Sequence, residues 1–130
     1  MELVLIGEWS APGPDAQRRA AEAALNAWRA HPWPDGLLAH HCLLGEDGRA
    51  VVHHLRWADE AAARAFAGTG KPGWARTVDA AAPGITRHRV TAYRQYRTTT
   101  PLTAAPPAGC LVTVTVDLDA PDPDFAIVTP

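Results

Sequence analysis

The stretch GLLAHHCLLGEDGRAVVHHLRW, residues 36–57, holds four of the chain's six histidines as two adjacent pairs, His40-His41 and His53-His54. Cys42 follows the first pair and Trp57 closes the second run. Imidazole changes charge near neutral pH, with an unperturbed pKa of about 6.5, and in its neutral form it also binds metals. These residue types therefore allow proton transfer. They also allow a zinc or copper site made from His40, Cys42 and His53, although that set lacks a carboxylate or a third histidine. The plainest alternative is a set of half-buried polar residues hydrogen-bonded to backbone or water, with Cys42 acting as a small buried hydrophobe.

Which chemistry is open depends on which side chains share a face. Asp47-Gly48 between two apolar runs predicts a hairpin with a two-residue type I′ turn. Counting outward from Glu46 opposite Arg49 sets Cys42 opposite His53, His41 opposite His54, His40 opposite Leu55 and Leu38 opposite Trp57. Side chains alternate along a strand, and directly paired residues share a face. One face then carries Leu38, His40, Cys42, Leu44, Val51, His53, Leu55 and Trp57, and the other carries Leu37, Ala39, His41, Leu43, Val52, His54 and Arg56. Neither adjacent pair can act as a pair, since its two rings point opposite ways. His41 and His54 are expected at an interface between subunits, in a structural role.

The flanking elements follow from pattern. LVLIGEW (3–9) is apolar on both parities and reads as a strand covered on both faces. A helix is expected over 15–31, capped by Asp15, with Ala21, Ala24, Leu25 and Trp28 as its inward stripe. Pro32 and Pro34 stop it. After the hairpin come a helix from Asp59 to about Ala67, a second short helix with Trp74 and Val78 inward, and an alternating strand over 87–97. Strand, helix, strand, strand, helix, strand is the split βαβ, ferredoxin-like order, an α+β antiparallel sheet with helices on one face. A second copy is expected over the other face, closing a dimeric α+β barrel. Residues 1–97 form this domain; 98–130 are a Pro/Thr/Ala linker followed by a further strand over 110–118.

Composition excludes several classes of function. A net charge of −2 with scattered arginines and a single lysine, Lys71, offers no surface for nucleic acid or an anionic membrane. No apolar run approaches the ~20 residues that cross a bilayer, and the first residues lack the pattern of a secretory signal. Two cysteines, Cys42 and Cys110, read as reduced thiols of a cytoplasmic protein.

The element order, the Trp-bearing helix, and GEDGRAVV leading into VVHHLRW and an acidic helix start together resemble the antibiotic biosynthesis monooxygenase family over residues 3–97. The resemblance implies a dimeric α+β barrel with one cavity per subunit, between the sheet and its own helices. It implies oxidation of anthrone-like aromatic polyketides by molecular oxygen without metal, flavin or haem. Carried over by position, the family's strand Asn falls at His53, its strand Trp at Trp57, its first-helix Trp at Trp28, and an arginine before the last strand at Arg76. The aromatic hydroxyl often found on the helix after the strand Trp falls at Ala63, so one hydrogen-bond donor of that chemistry is missing here.

Oxygenation without a cofactor makes the substrate the electron donor: a base removes an acidic proton, and the resulting anion reacts with oxygen in a dry cavity. His53 is expected as that base, with Trp57 beside it as the second catalytic residue. Trp28, His40, Leu38, Cys42, Leu55, Phe66, Trp74 and Arg76 are expected to contact the substrate. The same pocket could serve a cofactor-free polyketide cyclase or isomerase, or a non-catalytic ligand-binding protein.

Overall fold

A computed structural model describes residues 2–96. Strands β1 (Leu3–Ser10), β2 (Leu37–Leu44), β3 (Ala50–Trp57) and β4 (Thr86–Arg94) form one sheet in the order β2-β3-β1-β4. Every neighbouring pair is antiparallel. Helix α1 (Pro14–Asn26), a 3-10 turn (Ala27–Arg29), α2 (Glu60–Thr69) and α3 (Lys71–Ala81) complete the α+β, ferredoxin-like fold. The expected strand over 110–118 lies outside the described residues.

Local chemistry accounts for the element ends. Gly13 rather than Asp15 caps α1; its backbone is extended, and Pro14 begins the helix with φ already set. Asp15 sits in the first turn, where its charge favours the positive end of the helix. The Asp59 carboxylate caps α2 by accepting from the Ala62 N–H at 2.8 Å. α1 presents Ala20, Ala21, Ala23 and Ala24 inward, Ala27 of the following 3-10 turn extends that face, and Leu25, expected in that stripe, is 44% exposed. A face of alanines brings the helix close to the sheet. The bulk is then supplied from the opposite side by Trp9 and Val51, and laterally by Trp74 and Val78 of α3. A second cluster, Leu3, Leu37, Trp57 and Ala63, lies at the other end of the sheet, and Trp28 and Phe66 pack against both.

The hairpin keeps the expected register over most of its length but reaches it through a different turn. Cys42 pairs with His53, His41 with His54 and His40 with Leu55. The strands, however, stop at Leu44 and Ala50, and only Gly48 has positive φ, +74°. A type I′ turn needs positive φ at both central residues. Asp47 instead accepts from the Arg49 and Ala50 N–H groups, each at 2.9 Å, which holds a wider loop closed. Buried Gln17 of α1 ties that loop down by donating to the carbonyls of Gly45 and Ala50, both at 2.8 Å.

At its other end β2 departs from the expected pairing. An irregularity between Leu37 and Ala39 makes Leu37 the partner of Trp57. The inserted residue reverses parity, as a bulge does. Leu37 turns inward and is 4% exposed, while Leu38, expected at the substrate, points out at 51%.

Gly36 and Gly84 separate two costs that a side chain would incur. Both have positive φ, +83° and +93°, but a Cβ at Gly36 would lie 2.5 Å from the Ala62 Cβ while Gly84 faces open space. Gly84→Ala should therefore lose about 1–2 kcal/mol of stability from backbone strain alone, and Gly36→Ala should lose a further ~1–3 kcal/mol from overpacking. Urea denaturation at a common m-value checks the difference; equal losses would mean that α2 simply yields at Ala62.

Candidate active site

His53 stands in the middle of β3, which has β2 on one side and β1 on the other. Paired along both edges, the strand holds its side chains on rigid backbone. Opposite His53 on β1 is Gly7, which has no side chain to fill the space beside the ring. His40 comes from β2, and Trp28 from the 3-10 turn that follows α1. That tighter turn, closed by Ala30 N–H donating to the Ala27 carbonyl at 3.1 Å, sets the indole edge-on against His40.

The three rings form a directed chain. Trp28 Nε1 donates to His40 Nδ1 at 2.9 Å, and His40 Nε2 lies 2.9 Å from His53 Nδ1. An indole nitrogen can only donate. His40 Nδ1 is therefore an acceptor, and the neutral ring carries its proton on Nε2. That proton can only be given to His53 Nδ1, which leaves the His53 proton on Nε2. Burial keeps both rings uncharged: the pKa of His40 is pushed down to about 4 by desolvation, with a smaller push from His41. That of His53 is pushed down to about 3, again chiefly by desolvation, then by His40 and Arg87.

The cavity beside these rings, about 100 Å3, is the seam between the two core clusters. Trp9, Trp28 and Trp74 wall one end, and Trp57, Phe66 and Leu55 the other. Its lining also includes Ala67, Lys71 and Val90, which are exposed and mark its mouth. A larger recess of about 550 Å3 lies around Glu8, Ser10, Asp47, His88 and Arg89. It is shallow, open and charged, and it lacks the histidine chain, so the site is assigned to the smaller cavity.

The structure gathers His53, Trp57, Trp28, His40, Leu55, Phe66 and Trp74 around one space, as the sequence suggests. Leu38 is excluded by the bulge. Cys42 packs against the first core cluster rather than lining the cavity, and burial raises its thiol pKa to about 11. That leaves it a thiol, not a thiolate ligand. Among the described residues no three His, Cys, Asp or Glu side chains are grouped to hold a metal. Arg76 is exposed on α3 and absent from the cavity lining, because the inward positions of that helix are taken by Trp74 and Val78. Ala63 does line the cavity, so the position where the resemblance implies an aromatic hydroxyl offers only a methyl. The lining also includes Leu5, Gly7, Trp9, Ala67, Lys71 and Val90, which sequence reasoning does not place there. Pairing supplies the signal for two of these, since Gly7 lies opposite both His53 and Val90.

The lining has one further property. His53 Nε2, Trp57 Nε1 and Trp74 Nε1 are buried without a hydrogen-bond partner. Among the described residues of the lining, Lys71 carries the one charged side chain, and none supplies a carboxylate or hydroxyl.

The depressed histidine pKa values carry a sign. In the unfolded chain both imidazoles take up protons as pH falls below about 6.5, while in the fold they remain neutral to about 4 and about 3. Stability is thus intact above pH 6.5 and is lost as pH falls, at up to about 1.4 kcal/mol per pH unit for each ring. Urea midpoints between pH 7.5 and 5 should fall steeply for the wild type and less steeply for His53→Asn; identical slopes would contradict a buried neutral His53.

No family model and no curated protein matches the chain. Solved structures do. The monooxygenase ActVA-Orf6 of Streptomyces coelicolor, solved in complex with nanaomycin D, shares 23% identity over 76% of this chain and 91% of that one, with a TM-score of 0.60. SnoaB, a cofactor-independent oxygenase from Streptomyces nogalater, shares 20% identity over 75% of this chain and 95% of that one, with a TM-score of 0.53. Rv0793 from Mycobacterium tuberculosis shares 21% identity over 77% of this chain and all (100%) of that one, with a TM-score of 0.53. The chain therefore has the fold of the antibiotic biosynthesis monooxygenases that its hairpin resembles.

Proposed function

We propose that this protein is a cofactor-independent monooxygenase acting on an aromatic, polyketide-derived metabolite. The observation that carries the reading is an uncharged pair, buried His53 with half-buried His40, opening on an aromatic cavity, in the fold that ActVA-Orf6 and SnoaB share. In such a reaction a substrate methylene and dioxygen give a carbonyl and water, and the substrate itself supplies the electrons. The protein's task is to exclude water and hold the substrate anion against fixed donors. His53 and Trp57 stand at the reacting centre, and Trp28, His40, Leu55, Phe66 and Trp74 shape the space around it. At about 100 Å3 the cavity is below the ~300–1,000 Å3 of ordinary ligand sites, so a fused-ring substrate extends through the mouth between Val90 and Lys71.

The working unit in this reading is a homodimer. The sheet face turned away from the cavity carries Val4, Ile6, Leu43, Val52 and Tyr93 by register, together with the cross-strand pair His41 and His54, whose tilted rings are 5.6 Å apart. A second copy of that face supplies the cover, and sedimentation should return twice the chain mass.

Oxygen uptake with an anthrone, in the presence of a chelator, tests the chemistry. His53→Ala and Trp57→Phe should each lower the rate by roughly a hundredfold or more, the effect of removing one donor at a developing oxyanion. Turnover that continues unchanged without oxygen would replace this reading with a cyclase or isomerase using the same pocket. Saturable quenching of tryptophan fluorescence with no product would make it a binding protein, as the methyl at Ala63 allows.

A further inference from the structure

The geometry points to His53 as a fixed N–H donor, locked by Trp28 through His40, that meets an acceptor oxygen of the ligand instead of taking a proton from it. This rests on the proposed cavity but not on the oxygenase reading itself. For His53 to act as a base at Nε2, that nitrogen must be unprotonated and the ring proton must sit on Nδ1. Two hydrogens would then meet between His53 Nδ1 and His40 Nε2, unless His40 moved its own proton to Nδ1. There it would meet the indole hydrogen of Trp28, 2.9 Å away across the same contact. Trp has no second tautomer with which to yield. One donor-only ring thus sets the direction of the whole chain, and the direction ends at the unpartnered His53 Nε2–H.

The remaining polar groups of the lining agree with that direction. Trp57 Nε1 and Trp74 Nε1 are also donors without partners, and Lys71 adds a cation near the mouth. Among the described residues, the lining holds three buried, unpartnered ring nitrogens and no carboxylate or hydroxyl. It fits a ligand whose polar edge consists of carbonyl or phenolate oxygens, such as a hydroxyquinone or the anion of an acidic phenol. A ligand that can only donate toward His53 would leave donors facing donors, with a buried N–H unpaired. The substrate's acidic proton then leaves to water through the mouth. The bound anion is held by His53, the two indoles and Lys71, and Trp28 is a positioning residue that acts through His40.

Long-range 1H–15N correlation of the imidazole rings in the uniformly 15N-labelled protein at neutral pH reads the tautomers without any substrate. Both His40 and His53 should show the proton on Nε2 and a bare Nδ1. A proton on Nδ1 of either ring would overturn the proposal. Trp28→Phe keeps an aromatic ring but removes the donor, and both histidines should then sample mixed tautomers; an unchanged wild-type pattern would sink the lock. As ligand probes, 2-hydroxy-1,4-naphthoquinone, an anion at neutral pH, should shift the His53 Nε2–H resonance and bind at least about tenfold more tightly than naphthalene. Equal affinity for the two would overturn the donor wall. If these results hold while oxygen uptake fails, the oxygenase reading falls and the donor assignment stands.

Discussion

Adjacent residues on a strand cannot share a face, and the rest of this site depends on that constraint. It divides each His-His pair, sending His40 and His53 toward the helices and His41 and His54 toward the opposite side of the sheet. It also sets Gly7 opposite His53, so that the position with no side chain lies beside the ring that needs room. The helices then add one indole, from a turn too tight to continue α1, and the three rings become a chain with a direction. The backbone determines where the histidines are, and Trp28 determines which nitrogen of each carries hydrogen.

The cavity exists because the core is divided. An alanine face on α1 brings one half of the sheet close to its helix, while Trp57, Leu37 and Ala63 gather a second cluster at the other end. Trp28 and Phe66 bridge the two without closing the gap. Close-packed interiors leave few such voids, and the N–H groups of Trp57 and Trp74 in its wall lack the partners that buried donors normally find. A fold selected for stability alone would fill this seam or satisfy those groups. Here the incomplete packing and the unpartnered donors occur at the same place, as is common where a site has been kept at some cost in stability.

Much of this could be read from the sequence because it follows from period. The alternation of β2 and β3 gives the correct partners for His40, His41 and Cys42 although the turn is not type I′, since a wider loop closed by Asp47 preserves the same pairing. The errors arose where a single residue interrupts the period or where a helix must be oriented. Nothing in GLLAHH announces the irregularity that exchanges Leu37 for Leu38. Arg76 shares α3 with Trp74 and Val78, whose inward placement the sequence anticipates, and with those two on the inward side Arg76 is left exposed. Lys71 and Val90 enter the site from separate elements at its mouth, a meeting no local pattern encodes. The direction of the histidine chain was hidden for a different reason. It depends on one hydrogen bond between residues 28 and 40, and neither residue suggests it alone.

The aromatic packing has an optical consequence. Trp33 lies 5.3 Å from Trp28, Trp28 5.3 Å from Trp74, and Trp74 6.2 Å from Trp9. Phe66 connects this row to Trp57, with its ring 5.7 Å from both Trp28 and Trp57. Indoles this close exchange excitation faster than they emit, so no single ring owns the fluorescence. Light absorbed at exposed Trp33 can be lost at the far end of the row, and coupled transitions of this kind give strong near-ultraviolet dichroism. The protein's absorption and emission are therefore collective properties of one cluster wrapped around the cavity, and they report on its geometry without any added label.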